Sequence, residues 1–84
     1  MIIIGIDPGT ATTGFGVIQT TTPKHLPQNR NEKPKVIDFG CIITHPSGTA
    51  EQRLRIIHSE IEKLITKHQP DILSVESLYF FSKI

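Results

Sequence analysis

Ile2-Ile3-Ile4-Gly5-Ile6-Asp7-Pro8-Gly9-Thr10 decides how the rest of the chain is read. Four of its first five residues are β-branched isoleucines, which favour a pleated, buried strand. A short continuous apolar run, rather than an alternating one, predicts a central strand over Ile2–Ile6, covered on both faces. The run ends at a carboxylate followed by Pro8 and Gly9, the residues that open a turn. An acidic side chain is thereby placed at the carboxyl end of a central strand, where ligands bind in open α/β sheets.

Outward from this segment, Thr13 to Thr20 alternates imperfectly. Phe15 and Val17 fall on one face, and Gly14, Gly16 and Ile18 on the other. This predicts a second strand, antiparallel to the first, with a face kept bare by two glycines for close approach of a backbone or ligand. Residues 21–34 hold Pro23, Pro27 and Pro34 among polar side chains and read as a loop. Lys24, Arg30, Lys33 and Lys35 against Glu32 make the neighbourhood of that loop basic; it reads either as a phosphate contact or as a solvated hairpin tip. Strand character resumes over Lys35–Thr44, with Gly40 as a candidate bulge and Cys41 as a small buried hydrophobe.

His45-Pro46-Ser47-Gly48 breaks the chain, and Thr49 with Gln52 forms a capping-box signature. A helix comes next over Ala50–His68. Leu54, Ile57, Ile61, Leu64 and Ile65 share one face, and Glu51 with Arg55 forms an i,i+4 ion pair. Pro70 forbids continuation and pushes Gln69 toward extended geometry. Asp71–Glu76 then reads as a fourth strand through Ile72, Leu73 and Val75.

The order strand, strand, strand, helix, strand predicts an α/β fold with a mixed sheet. The helical crossover returns the fourth strand parallel to the first and beside it. Asp7 and Glu76 then become neighbours. Taken singly, Asp7 reads as a turn residue and Glu76 as a solvent-facing strand end. As a pair following short apolar strands, they repel unless a cation lies between them. Magnesium, a hard cation that takes oxygen ligands and keeps several waters, suits such a pair. Two such ions carry phosphodiester hydrolysis, with Asp7 bridging them and Glu76 holding one.

With 84 residues the chain allows one domain and a small core. A net charge of +1 does not by itself announce nucleic acid. One cysteine excludes an intramolecular disulfide and fits a reducing, cytoplasmic compartment. The N-terminus lacks the basic region of a signal peptide, and no apolar run approaches the roughly 20 residues that span a bilayer. The four histidines have no metal-ligand spacing.

Gly5-Ile6-Asp7-Pro8-Gly9-Thr10 with Thr13-Gly14-Phe15-Gly16-Val17-Ile18 resembles the first motif of the RuvC crossover-junction endodeoxyribonucleases. Gly40-Cys41-Ile42 resembles the end of that family's third strand. Arg53-Leu54, Ile57, Ile61 and Ile65 resemble its first helix, and Pro70-Asp71 through Val75-Glu76 with Leu78-Tyr79-Phe80 its second acidic motif. The resemblance implies a ribonuclease H-like fold, with residues 1–84 as part of one nuclease domain. It implies Asp7 and Glu76 as metal-binding catalytic carboxylates and magnesium as cofactor. It further implies a homodimer acting on four-way DNA junctions in recombination and repair, branch-migration proteins as partners, and Tyr79 or Phe80 against bases at the junction centre. The family's later strand, covering helices and remaining acidic residues would follow Ile84, so the chain alone is expected to be inactive or nearly so. Two other readings stand beside this one. The first is the nucleotide-binding half of an actin-like ATPase or sugar kinase, whose first loop Gly9-Thr10 also fits. The second is a junction-binding module without catalysis.

Overall fold

The computed structural model describes residues 1–9, 11–21 and 33–76. Its elements are β1 (Ile2–Asp7), β2 (Thr12–Gln19), β3 (Lys35–Ile43), α1 (Ala50–His68) and β4 (Ile72–Val75). The expected order of elements is present, and the helix has the expected bounds. Strand ends differ by a residue or so: β1 runs through Asp7, and β4 stops short of both Asp71 and Glu76.

The four strands form one sheet in the order β3-β2-β1-β4. β1 pairs antiparallel with β2 (Ile4 opposite Val17) and parallel with β4 (Ile4 beside Leu73, Ile6 beside Val75). The long crossover through α1 therefore passes β2 and β1 before adding β4, as its length allows. A reciprocal clasp sets the β1–β4 register. The Ile2 amide donates to the Asp71 carboxylate at 2.8 Å, and the Asp71 amide donates to the Ile2 carbonyl at 2.8 Å.

Alternation along each strand decides what α1 covers. Ile4, Ile6 and Val17 are buried beneath it, with Ile2, Phe15, Ile61 and Leu64 packed around them. Fully burying a side chain such as Ile4 or Val17 contributes about 1.5–3 kcal/mol. α1 itself has no fully buried residue. Of its predicted stripe, Ile57, Ile61 and Leu64 are half-buried, whereas Leu54 is 66% exposed and Ile65 38%. Among the described residues nothing covers the opposite face, so β1 is central but buried from one side only.

Other local expectations are corrected. The bulge lies at Ile37, not Gly40: Val17 pairs with Asp38 and Ile18 with Val36, leaving Ile37 as the extra residue. Cys41 is exposed, because it faces away from α1. Gln69 is not extended but left-handed (φ 49°, ψ 59°), and its amide caps the helix by donating to the Ile65 carbonyl. Pro70 disfavours the right-handed helical region for Gln69, and the capping bond selects the left-handed alternative. The capping box at Thr49 and Gln52 and the Glu51–Arg55 pair at 2.6 Å are both present. No helix among the described residues is long and apolar enough to cross a membrane.

Regular alternation through Ile42 and Gly40 places Asp38 on the α1 face, opposite Val17. There His68 Nε2 donates to the Asp38 carboxylate at 3.1 Å. The imidazole side chain is only 9% exposed, and this contact pins the end of the helix to β3. The His68 hydrogen bond is the main reason the Asp38 carboxyl lies below its ordinary 3.8, followed among the lowering causes by the Phe39 amide and the charges of Lys67 and His68. An acid with a depressed folded value adds stability that is fully present above its unfolded value and lost as pH falls through the folded one. Asp38→Asn is therefore expected to be less stable than the parent chain at about pH 7, with the difference closing as pH falls below 3.8. Urea unfolding across that range checks this; a difference that persists in strong acid would mean that the carboxylate is not its source.

Candidate active site

β1 carries Asp7 as its last paired residue, opposite Gly14 of β2, and the side chain is exposed at the sheet edge. Glu76 follows β4 directly, and its amide donates to the Ile6 carbonyl at 3.0 Å. That bond extends the parallel pairing by one step and brings Glu76 alongside Asp7, the adjacency expected from topology. The two side chains interact directly. A hydrogen bond with Asp7, then the repulsion of its charge, then partial desolvation raise the Glu76 carboxyl above its ordinary 4.5.

The pair sits at one end of an open trough of about 600 Å³ on the sheet face that α1 leaves uncovered. Gly5, Gly14 and Gly16 form its floor, with Phe39 and Cys41 on the β3 side and Ser74 and Glu76 on the β4 side. The pairing register explains the floor. Gly5 stands opposite Gly16 and Asp7 opposite Gly14, so three glycines of one face lie together where β1 and β2 meet. A methyl group added at Gly5 or Gly16 would meet nothing within 4 Å, so the floor opens directly onto the trough. Gly9 differs: a Cβ there would lie 2.2 Å from the Thr12 carbonyl oxygen, so the connection after Asp7 passes too close to β2 for any side chain.

The two glycines expected to leave a bare face, Gly14 and Gly16, do line the trough. Sequence reasoning does not single out Gly5, Ser74, Phe39 or Cys41 as part of a site. The signal for Ser74 lies in the alternation of β4, since it stands two residues before Glu76 and on the same face. Phe39 and Cys41 require the pairing of β3 with β2, which sets them opposite Gly16 and Gly14. Tyr79 and Phe80, and with them Lys24 and Arg30 of the basic loop, lie outside the described residues.

Among the described residues, the two carboxylates make an oxygen donor set. It suits a hard cation that completes its coordination with water and phosphate oxygens. Among the described residues no group of three or more His, Cys, Asp or Glu side chains is placed to hold a metal ion. Asp7 and Glu76 thus offer part of a coordination shell.

Residues 3–84 match the family model of the crossover junction endodeoxyribonuclease RuvC. Curated relatives include the RuvC endonuclease of Fusobacterium nucleatum, 35% identical over 96% of this chain and 38% of its own length. That of Ruminiclostridium cellulolyticum is 40% identical over the whole chain and 45% of its own length. The chain thus spans under half the length of these relatives. The structure of Thermus thermophilus RuvC superposes with a TM-score of 0.77 at 25% identity, covering 94% of this chain and 46% of that one. The same enzyme in complex with Holliday junction substrate gives a TM-score of 0.78 at 23% identity, covering 99% of this chain and 48% of the other. The sheet order and crossover helix are accordingly those of a ribonuclease H-like fold.

Because Asp7 is the main cause of the raised Glu76 value, Asp7→Asn is expected to lower the Glu76 pKa toward 4.5. Carbon-13 NMR titration of the Glu76 carboxyl reads this directly, and an unchanged midpoint would mean that the two side chains do not interact in solution.

Proposed function

The chain belongs to the RuvC family of crossover junction endodeoxyribonucleases, and from that premise we propose that it is part of a magnesium-dependent nuclease domain that nicks four-way DNA junctions in recombination and repair. The observation that carries the reading is the meeting of Asp7 and Glu76 at the ends of two parallel strands, beside a trough floored by glycine. The family match over residues 3–84 takes the place of the ATPase or sugar-kinase reading of the first loop.

In this reading Asp7 and Glu76 are the first two carboxylates of the metal site. They would hold magnesium, which when bound would supply a polarised water and charge neutralisation for phosphodiester hydrolysis. The contribution of the protein is placement. Asp7 is held by the central strand and Glu76 by the strand beside it, so the two would hold a cation from the same end of the sheet. The glycine floor keeps side-chain bulk away from the space next to the pair, where a DNA backbone has to come close. Tyr79 and Phe80 come within a few residues of Glu76 in the chain and would stack on bases at the junction centre, a contact worth about 1–3 kcal/mol per base. The relative solved with a Holliday junction supports DNA as the partner. Further carboxylates, a second copy of the domain and branch-migration proteins complete the proposed assembly, in the cytoplasm.

The test is cleavage of a synthetic four-way junction with magnesium. It compares the 84-residue chain with the same chain joined to the C-terminal portion of the Ruminiclostridium cellulolyticum relative. Symmetric nicking by the joined protein alone is expected, falling by at least about 100-fold in Asp7→Asn or Glu76→Gln, the upper end of what losing even an outer-shell partner costs a metal site. Junction binding without cleavage in any form would instead assign the chain to a non-catalytic module.

A further inference from the structure

Asp7 is the last residue of β1 to be paired, and its side chain is exposed. The connection to β2 therefore begins directly after the carboxylate-bearing residue. That connection is anchored four residues later by a contact that joins three separate parts of the fold. Thr44, just past β3, is 3% exposed. Its amide donates to the Ala11 carbonyl at 3.0 Å, and its hydroxyl donates to the same oxygen at 3.4 Å. The hydroxyl oxygen in turn accepts from Arg53 Nε at 3.1 Å. One buried hydroxyl thus serves as donor toward the β1–β2 connection and as acceptor from the first turn of α1.

The surroundings are built for this contact. Arg53 forms no ion pair with a carboxylate among the described residues, whereas its neighbour Arg55 pairs with Glu51. The Arg53 stem runs past Gly48, where an added Cβ would already stand 3.4 Å from its Cγ. Gly9, Ala50 and Arg53 line a common cleft, so the start of α1 lies against the connection after Asp7. A guanidinium Nε–H is a directional donor on a planar group, which an ammonium does not reproduce.

We propose that Thr44 and Arg53 are positioning residues for Asp7, acting through the Ala11 carbonyl to fix the connection that leaves β1 directly after the carboxylate. The inference rests on the reading of Asp7 as a metal ligand, and it adds two residues that touch neither metal nor DNA in that reading. The capping box places Arg53 at its position on the first turn, and the pairing of Thr12 with Ile43 brings Thr44 beside Ala11. The helix start, the end of β3 and the connection leading into β2 are thereby tied at one hydroxyl.

Manganese, a paramagnetic stand-in for magnesium, gives the test. Binding of Mn²⁺ to the 84-residue chain is followed by electron paramagnetic resonance for the parent, Asp7→Asn, Thr44→Val, Thr44→Ser and Arg53→Met. Amide hydrogen exchange at Thr44 is measured in the same samples. Thr44→Val and Arg53→Met are expected to weaken binding about 10-fold, the lower end for outer-shell partners, and to speed exchange at Thr44, while Thr44→Ser restores both. Parent-like binding by Asp7→Asn would overturn the metal reading of the site itself. Loss of binding in Asp7→Asn with parent-like Thr44→Val and Arg53→Met would overturn this inference alone, as would a Thr44→Ser variant no better than Thr44→Val. If Thr44→Val fails to fold, Arg53→Met decides, because it leaves the buried hydroxyl in place. Thr44 exchange unchanged in Arg53→Met also overturns the proposal, whatever the manganese titration shows.

Discussion

Everything that makes this chain more than a three-stranded meander depends on the parallel pairing of β1 with β4. Parallel neighbours cannot be joined by a tight turn, so the sequence must use a helix to bring the fourth strand home. The pairing is short: four residues of β4, the amide of Glu76 beyond them, and the Asp71–Ile2 clasp before them. The clasp fixes which residue of β4 meets which of β1. A slip of one residue would send every side chain of β4 to the other face and turn Glu76 away from the trough. Two carboxylates that would otherwise avoid each other are held side by side by backbone hydrogen bonding, and the raised proton affinity of Glu76 is the electrostatic result.

Much of this is legible in the amino-acid sequence. The helix is written in the 3-4 spacing of Ile57, Ile61 and Leu64 and bounded by Thr49 and Pro70, because a helix end needs particular residues and advertises them. The adjacency of Asp7 and Glu76 comes from the order of elements and the geometry of crossovers. The features that escape are those set by tertiary neighbours. Ile37 can be the bulged residue only once Val17 and Ile18 have chosen partners in β3. Gln69 adopts a left-handed backbone because the Ile65 carbonyl needs a donor and Pro70 closes the alternative. Cys41 has the composition of a core residue but stands on the uncovered face. The His68–Asp38 contact joins two residues that look ordinary until the register of β3 sets one under the end of the helix. The Thr44–Arg53–Ala11 contact, likewise, joins residues that no single element connects.

The two faces of the sheet differ in kind. One is a conventional packing surface of Ile4, Ile6 and Val17 under the half-buried stripe of α1. The other combines a glycine floor with apolar side chains in the open: Phe39 is 77% exposed and Ile43 73%. Exposed apolar surface next to a polar cluster is characteristic of a face that binds something. The chain spans under half the length of its curated relatives, and this face is where the acidic pair lies.

The span of the β1–β4 pairing also orders events in time. β1, β2 and β3 are neighbours in sequence as well as in space, so they can associate while the chain is still being synthesised. β4 cannot dock until α1 has emerged and crossed the sheet, and closing so long a loop is entropically slow. Among the described residues all four of its side chains stay exposed when it docks. Its docking also moves Glu76 against the charge of Asp7. The last strand to join is therefore the one that assembles the acidic pair. A cation between the carboxylates would relieve the repulsion at that step, so that the ion proposed for chemistry would also act as a late folding ligand.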